Sequence, residues 1–493
     1  MKAYAKPLLV LSLLAAYTLI QFAAAGPHVT SVAAGQSASP RATSTASPQT
    51  SPTQFPTPPT TITSALATVP PDFTGIIGQA NMNLYSWLAF VALNWPANTA
   101  TCGPNLNASI LNDKGPRVWE TYPADSDIFV APPATPAPWC AQTPSAGQAA
   151  LLARLPARVR QAARRQGVRK ALFRNAKASE HVSQKLPDVD EAVGGVLTDQ
   201  NGRFARYEVR VNQDEYNFLT QNNLWSAAGQ NSYTQTITFP VGPSTYGPVG
   251  AVEVKAAWKV LTAGEISRGR FFTTQAVVYN DDQTPPSPSP GANPVTLGLV
   301  GFHIMHKTKS QPNWIWSTFE HADNLSPAPG SPKGAKASFR NPDCLPAQCP
   351  PNAQTAASPY VELGANGKPL NKPVQVTRVN PVGDDTAAQY NAAFQKLLAG
   401  SVWANYRLIS TQWHGEFGPL PKPAFLANPV LETFNQTPSP PSDGPVAWPS
   451  PGYTPFNAGV ATSSCMKCHS QATTASQTAA KPSDFSFLMG NAQ

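Results

Sequence analysis

Polar and hydrophobic positions interleave in Gly202–Asn212, "GRFARYEVRVN". Here Phe204, Tyr207, Val209 and Val211 are set among polar neighbours after the turn-forming "TDQNG". Such a pattern predicts a strand with two unlike faces. Gly250–Leu261, "GAVEVKAAWKVL", predicts another, with Val252, Val254 and Ala256 set against Glu253, Lys255 and Ala257. Pro294–Thr308, "PVTLGLVGFHIMHKT", is nearly continuously apolar, which marks a strand covered on both faces. Along it His303 and His306 fall on opposite sides, because side chains alternate with period two. Helices are expected in Asn83–Trp95 and in Asp385–Ile409. The fold class that follows is α+β: an antiparallel-sheet-rich body with helices at its edges.

Composition adds long loops to this picture. Proline accounts for 53 of 493 residues and charged residues for 13%, which favours extended and irregular connections over helix bundles. Residues 26–71 are rich in Ser, Thr and Pro and almost uncharged, the composition of a flexible linker. Further Pro-rich stretches at 131–147, 282–294, 325–359 and 436–455 read as surface insertions in one large domain, 72–493. Ahead of the linker, Lys2 and Lys6 precede an apolar run from Leu8 to Phe22 and small residues at Ala23 and Ala25. This is the pattern of a secretory signal peptide spanning 1–25. An exported, periplasmic or otherwise extracytoplasmic protein follows, and nucleic acid is not an expected partner.

The chemistry concentrates near the C-terminus, in "SSCMKCHSQ". Two cysteines three apart with a histidine directly after them is the attachment pattern of c-type haem. The spacing lets Cys465 and Cys468 form thioethers with the two vinyl groups, while His469 swings under the ring as the proximal iron ligand. Competing readings are a zinc site completed by Cys344 and Cys349 of "DCLPAQC", a redox dithiol, and a plain disulfide, the last leaving His469 unexplained. In an oxidising compartment the remaining four of six cysteines allow three pairings. Cys102 with Cys140 and Cys344 with Cys349 staples the surface loops most simply.

Several stretches together resemble a family of large exported bacterial cytochrome c proteins: "SWLAFVALNWP", "VWETY", "GAVEVKAAWKVL", "GFHIMHKTKSQPNWIWSTFEHADN", "NYRLISTQW", "LANPVLETFNQ" and "SSCMKCH…DFSFLMG". The resemblance is scattered over about residues 80–490. It implies one covalent haem c on Cys465, Cys468 and His469, electron transfer in general, and no particular substrate.

The second axial position is argued from the residues alone. Candidates are His303 or His306 on the buried strand and Met489 in "DFSFLMG", with His321 and His414 behind them. An iron left open or bound to water is the alternative. Trp314 and Trp316 form either an aromatic core strand or a wall beside the ring. Glu120, Glu320, His321 and Glu432 are acid–base candidates because each lies next to aromatic residues. Only 24 residues follow His469, too few to cover a porphyrin, so the segment 455–493 is expected to close onto a body built by earlier parts of the chain.

Charge is equally concentrated. Residues 150–178 carry seven Arg, two Lys and no acid, +9 against a chain total of +8. Leu151, Leu155, Val159 and Ala162 follow helical spacing there. A basic amphipathic helix could dock an anionic membrane surface or an acidic redox partner, or simply be solvated. Three function classes remain: an electron carrier serving a redox partner protein or a small-molecule donor or acceptor, a haem oxidoreductase such as a peroxidase-like enzyme, and a haem-based binding or sensor protein.

Overall fold

The computed structural model describes residues 56–73, 78–112, 114–141, 149, 152–153, 155–166, 168, 170–172, 195–280, 287–290, 293–357, 360–379, 385–414, 421–436, 464–476 and 480–493. The expected signal segment, the linker as far as residue 55, and the stretch 437–463 before the cysteine motif lie outside these residues.

Eight strands form one sheet. They are β1 (Lys170–Leu172), β2 (Arg206–Val211), β3 (Val252–Val260), β4 (Thr273–Val278), β5 (Val295–His306), β6 (Ile315–His321), β7 (Tyr406–His414) and β8 (Pro421–Lys422). The continuous order is β8-β7-β6-β5-β3-β2; β4 also pairs with β5, and β1 with β4. Every pairing is antiparallel except β1 with β4. The α+β, antiparallel-sheet-rich fold read from the sequence is therefore the fold observed.

Strand β5 lies at the centre of the body, buried along nearly its whole length, as its unbroken apolar run requires. One face of the sheet carries helix α1 (Gln79–Leu93) and, beside it, a later helix at Asp385–Leu397. Val252, Val254, Ala256 and Trp258 of β3 and Phe302 and Ile304 of β5 point into this side with Trp87, Phe90 and Phe394. Helix α1 is apolar nearly all round, as a helix caught between layers should be. Its buried Ser86 hydroxyl bonds Ser317 and Thr411 at 2.7 and 2.6 Å, so the polar group is satisfied inside the core.

The second predicted helix is shorter than expected. It ends at Leu397, Gly400 follows in the left-handed region at φ +86°, and Tyr406–His414 is strand β7. Helical spacing continued through "VWANYRLI", but a glycine suited to positive φ breaks the helix, and the residues beyond it pair with β6. The body also begins before residue 72. Ala67 and Val69 are buried against it, and Tyr85 and Tyr390 donate hydroxyl bonds to the carbonyls of Pro70 and Pro56. Low charge and many prolines hid these contacts, because prolines can pack in extended backbone without leaving a periodic pattern.

Disulfides join Cys102 to Cys140 and Cys344 to Cys349. Of the basic segment, α2 (Ala157–Arg165) is helical, with Leu155, Val159 and Ala163 buried beside Val277 and Tyr279 while Arg158, Arg164 and Arg165 are exposed. Among the described residues no helix is long and apolar enough to cross a membrane.

Candidate functional site

The opposite face of the sheet carries two rows of register partners. One runs Val209, Lys255, His303, Thr318 and Ser410; the next runs Val211, Glu253, Met305, Trp316 and Gln412. The C-terminal segment seats on the second row. Its central element is α3, the single turn Cys465–His469. Ser464 caps it, accepting from the Lys467 amide at 3.3 Å. Gln412 fixes it to the sheet by accepting from the Met466 amide at 2.9 Å and from the Ser464 hydroxyl at 3.2 Å.

The last residues return beneath this turn. Asp484 and Phe485 stand at φ +51° and +72°, a backbone conformation uncommon for residues with side chains. Surrounding bonds hold it in place. The Asp484 carboxylate accepts from the Phe239 amide at 2.7 Å and from Lys307 at 2.8 Å, and its carbonyl accepts from the Trp314 indole at 3.0 Å. The Ser486 hydroxyl donates to Glu253 at 2.8 Å. The turn brings the Phe485 carbonyl to His469, which donates to it through Nδ1 at 2.8 Å. Trp316 and Phe487 flank the imidazole, with ring centroids 4.7 and 4.9 Å away. Met466, Phe485, Leu488 and Met489 complete an apolar cluster with Phe218, Phe239, Met305 and Trp314.

The bond to Phe485 sets the tautomer: Nδ1 carries the proton and Nε2 keeps its lone pair. Burial, together with nearby Lys255 and His303, pushes the His469 pKa down to about 4, against the pull of the Phe485 carbonyl. The ring is thus neutral near pH 7. Burial, reinforced by Glu432, raises both thiols, Cys468 to about 11, so each stays protonated. These two are the free cysteines among the described residues.

A loop from Leu426 to Glu432 links the thiols to the first row of the sheet. The Leu426 carbonyl lies 3.8 Å from Cys465 Sγ, and Asn428 donates to Thr318 Oγ1 at 2.9 Å. Glu432 accepts from the Asn428 amide at 2.7 Å and meets His303 Nε2 at 2.8 Å. Although burial pushes Glu432 up, His303, Lys255 and the Asn428 amide outweigh it and hold the carboxyl below its usual range.

The expected residues therefore separate. Cys465, Cys468, His469, His303, Glu432 and Trp316 come together. His306 faces the helical side, with Tyr85 on Nδ1 and the Val249 carbonyl on Nε2, so neither nitrogen is left for iron. His321 is similarly engaged, by the Asp323 amide and the Arg270 carbonyl. Met489 is buried in the apolar cluster as an anchor. Glu320 pairs with Arg378 and Arg407, and Glu120 with Lys170. His414 ends β7 and pairs with Pro421.

Sequence reasoning passed over Lys255, Asn428, Gln412, Lys307 and Asp484. The polar alternation in "VEVK" was the available sign for Lys255; nothing local marked the others.

No protein-family model, curated protein or solved structure matches the chain.

Proposed function

We propose that this protein is an exported c-type cytochrome that carries one covalent haem and takes part in electron transfer. The carrying observation is the arrangement around His469: two free thiols on one helical turn, and an imidazole whose Nδ1–H is held by the Phe485 carbonyl, which leaves the lone pair on Nε2. Cys465 and Cys468 would each add S–H across one vinyl group, sulfur to one carbon and hydrogen to the other, with no oxidant needed. His469 would supply the proximal nitrogen. The haem would supply a one-electron couple. The partner would be a redox protein or a small-molecule donor or acceptor.

The pairing of Cys344 with Cys349 counts against the zinc reading, since it uses the two thiols that site required. The scattered resemblance to large exported cytochrome c proteins points the same way as the site. A second reading, a haem oxidoreductase with an open iron position, is favoured by the partly exposed His303–Glu432 pair. The reduced spectrum of purified protein, with and without carbon monoxide, separates them. A low-spin spectrum unchanged by the gas fits a six-coordinate carrier, ready binding fits an open iron, and absence of any haem spectrum contradicts both.

A further inference from the structure

We propose that Glu215, Glu253 and Asp484 form a pH-operated latch on the C-terminal segment. While Glu215 is a neutral acid, residues 480–493 stay seated on the sheet; its ionisation at alkaline pH releases them. The inference goes beyond the haem reading and holds whether or not the Cys465–His469 turn carries a haem.

Placement comes first. Glu215 stands in the first turn of the helix Gln213–Gln221, where its amide donates to the Asn212 side chain at 3.1 Å. Its side chain is fully buried, and neither carboxyl oxygen meets a hydrogen-bond donor among the described residues. Two further carboxyls face it, Glu253 from β3 and Asp484 from the terminal segment. On its own helix, the neighbouring Asp214 is taken up by the Val249 and Gly250 amides at 2.8 and 2.7 Å. Lys307, directly after β5, is committed to Asp484 and to the Pro312 carbonyl.

Bonding then decides which carboxyl keeps a proton. Glu253 accepts the Ser486 hydroxyl at 2.8 Å. Asp484 accepts from Lys307 at 2.8 Å and from the Phe239 amide at 2.7 Å, so these two are supported as anions. Glu215 has no such support. An ionised carboxylate without partners is too costly to bury, and it takes up a proton instead. The positive end of its helix favours the anion only weakly beside that cost. Burial, reinforced by Glu253 and Asp484, pushes the Glu215 pKa well above the usual carboxylate range.

The consequence falls on the terminal segment, which the Ser486–Glu253 and Asp484–Lys307 bonds tie down beside Glu215. A third negative charge there repels Asp484, and the strain is relieved when the segment lifts and water reaches Glu215. Phe485 lies between Asp484 and Ser486, so its carbonyl leaves His469 in the same movement. The closed form holds the Glu215 proton to higher pH than the open form. Each pH unit between the two pKa values should therefore favour opening about tenfold. His469 and the thiols add nothing from about pH 6.5 to 8. There the imidazole is neutral and both thiols are mainly protonated in either form, given ordinary pKa values of about 6.5 and 8.5.

The test is hydrogen exchange of the peptide 480–493 in the full-length protein, read by mass spectrometry and corrected for the intrinsic effect of pH on exchange. In wild type the opening constant should rise at least about tenfold from about pH 6.5 to 8. Glu215→Gln keeps the side-chain shape without an ionisable group, and its opening constant should stay within about twofold over the same range. An equal rise in Glu215→Gln, or a flat wild type, would overturn the proposal. NMR of isotope-labelled glutamate carboxyls gives a second reading on wild type alone, should the variant fail to fold. One glutamate should remain un-ionised near neutral pH; a spectrum with every glutamate ionised would overturn the proposal equally.

Discussion

Replacing Asp484 with Asn tests how the terminal segment is locked to the body. The Asp484 carboxylate is fully buried and pairs with Lys307, itself only 1% exposed. Asn keeps the side-chain shape, tolerates the left-handed φ of +51°, and can still offer an oxygen to the Phe239 amide. What it removes is the charge facing Lys307. Breaking a buried pair from one side costs about 3–5 kcal/mol. The low end applies here, because Lys307 keeps its 2.7 Å bond to the Pro312 carbonyl. Urea unfolding followed by tryptophan fluorescence should therefore show a loss of about 3 kcal/mol at unchanged m. Adding Lys307→Met should recover at least half, since the uncompensated charge is then gone. A loss below about 1 kcal/mol, or a double variant less stable than Asp484→Asn alone, would refute the argument.

Other outcomes follow from the same structure. Burial lowers the pKa of His306 and of His321 to about 4, so the unfolded chain binds these protons first and stability should fall as pH drops from about 6.5 to 4. His321→Gln should make that fall shallower by one proton in pH-dependent denaturation; an identical slope would contradict the assignment. A Cβ at Gly301 would sit 2.8 Å from Val430 Cγ2 and 3.1 Å from Leu431 Cδ1, so Gly301→Ala should cost about 1–3 kcal/mol in the same assay, and no loss would show that the loop yields freely. If α2 docks an anionic surface, binding to acidic vesicles should weaken steeply from low to physiological salt and in Arg158→Gln/Arg164→Gln/Arg165→Gln. Salt-independent binding, or none, would return the helix to a solvated role.

The sheet was legible where the pattern was strong. "VEVKAAWKV" and "VTLGLVGFHIMH" carry one strand each, and period two correctly divided His303 from His306. The strand "YRLISTQWH" was half absorbed into a helix because its apolar spacing fits both periods and only Gly400 separates them. The cysteine motif announced its own turn, and its late position called for distant partners. Which partners they are was not legible. Gln412 and Lys307 reach the terminal segment, and Glu432 reaches His303, through tertiary pairing across long sequence separations, and no local periodicity encodes such contacts. Glu320 and His321 looked as promising as Glu432; the difference arises only where loop Leu426–Glu432 crosses the sheet.

The central claim is that Cys465 and Cys468 hold a haem covalently. Its most direct test is the intact mass of the denatured full-length protein beside that of Cys465→Ala/Cys468→Ala. Wild type should exceed its polypeptide mass by one haem, and the double variant should show the polypeptide mass alone. A wild-type protein without the added mass, or a double variant that retains it, would contradict the account.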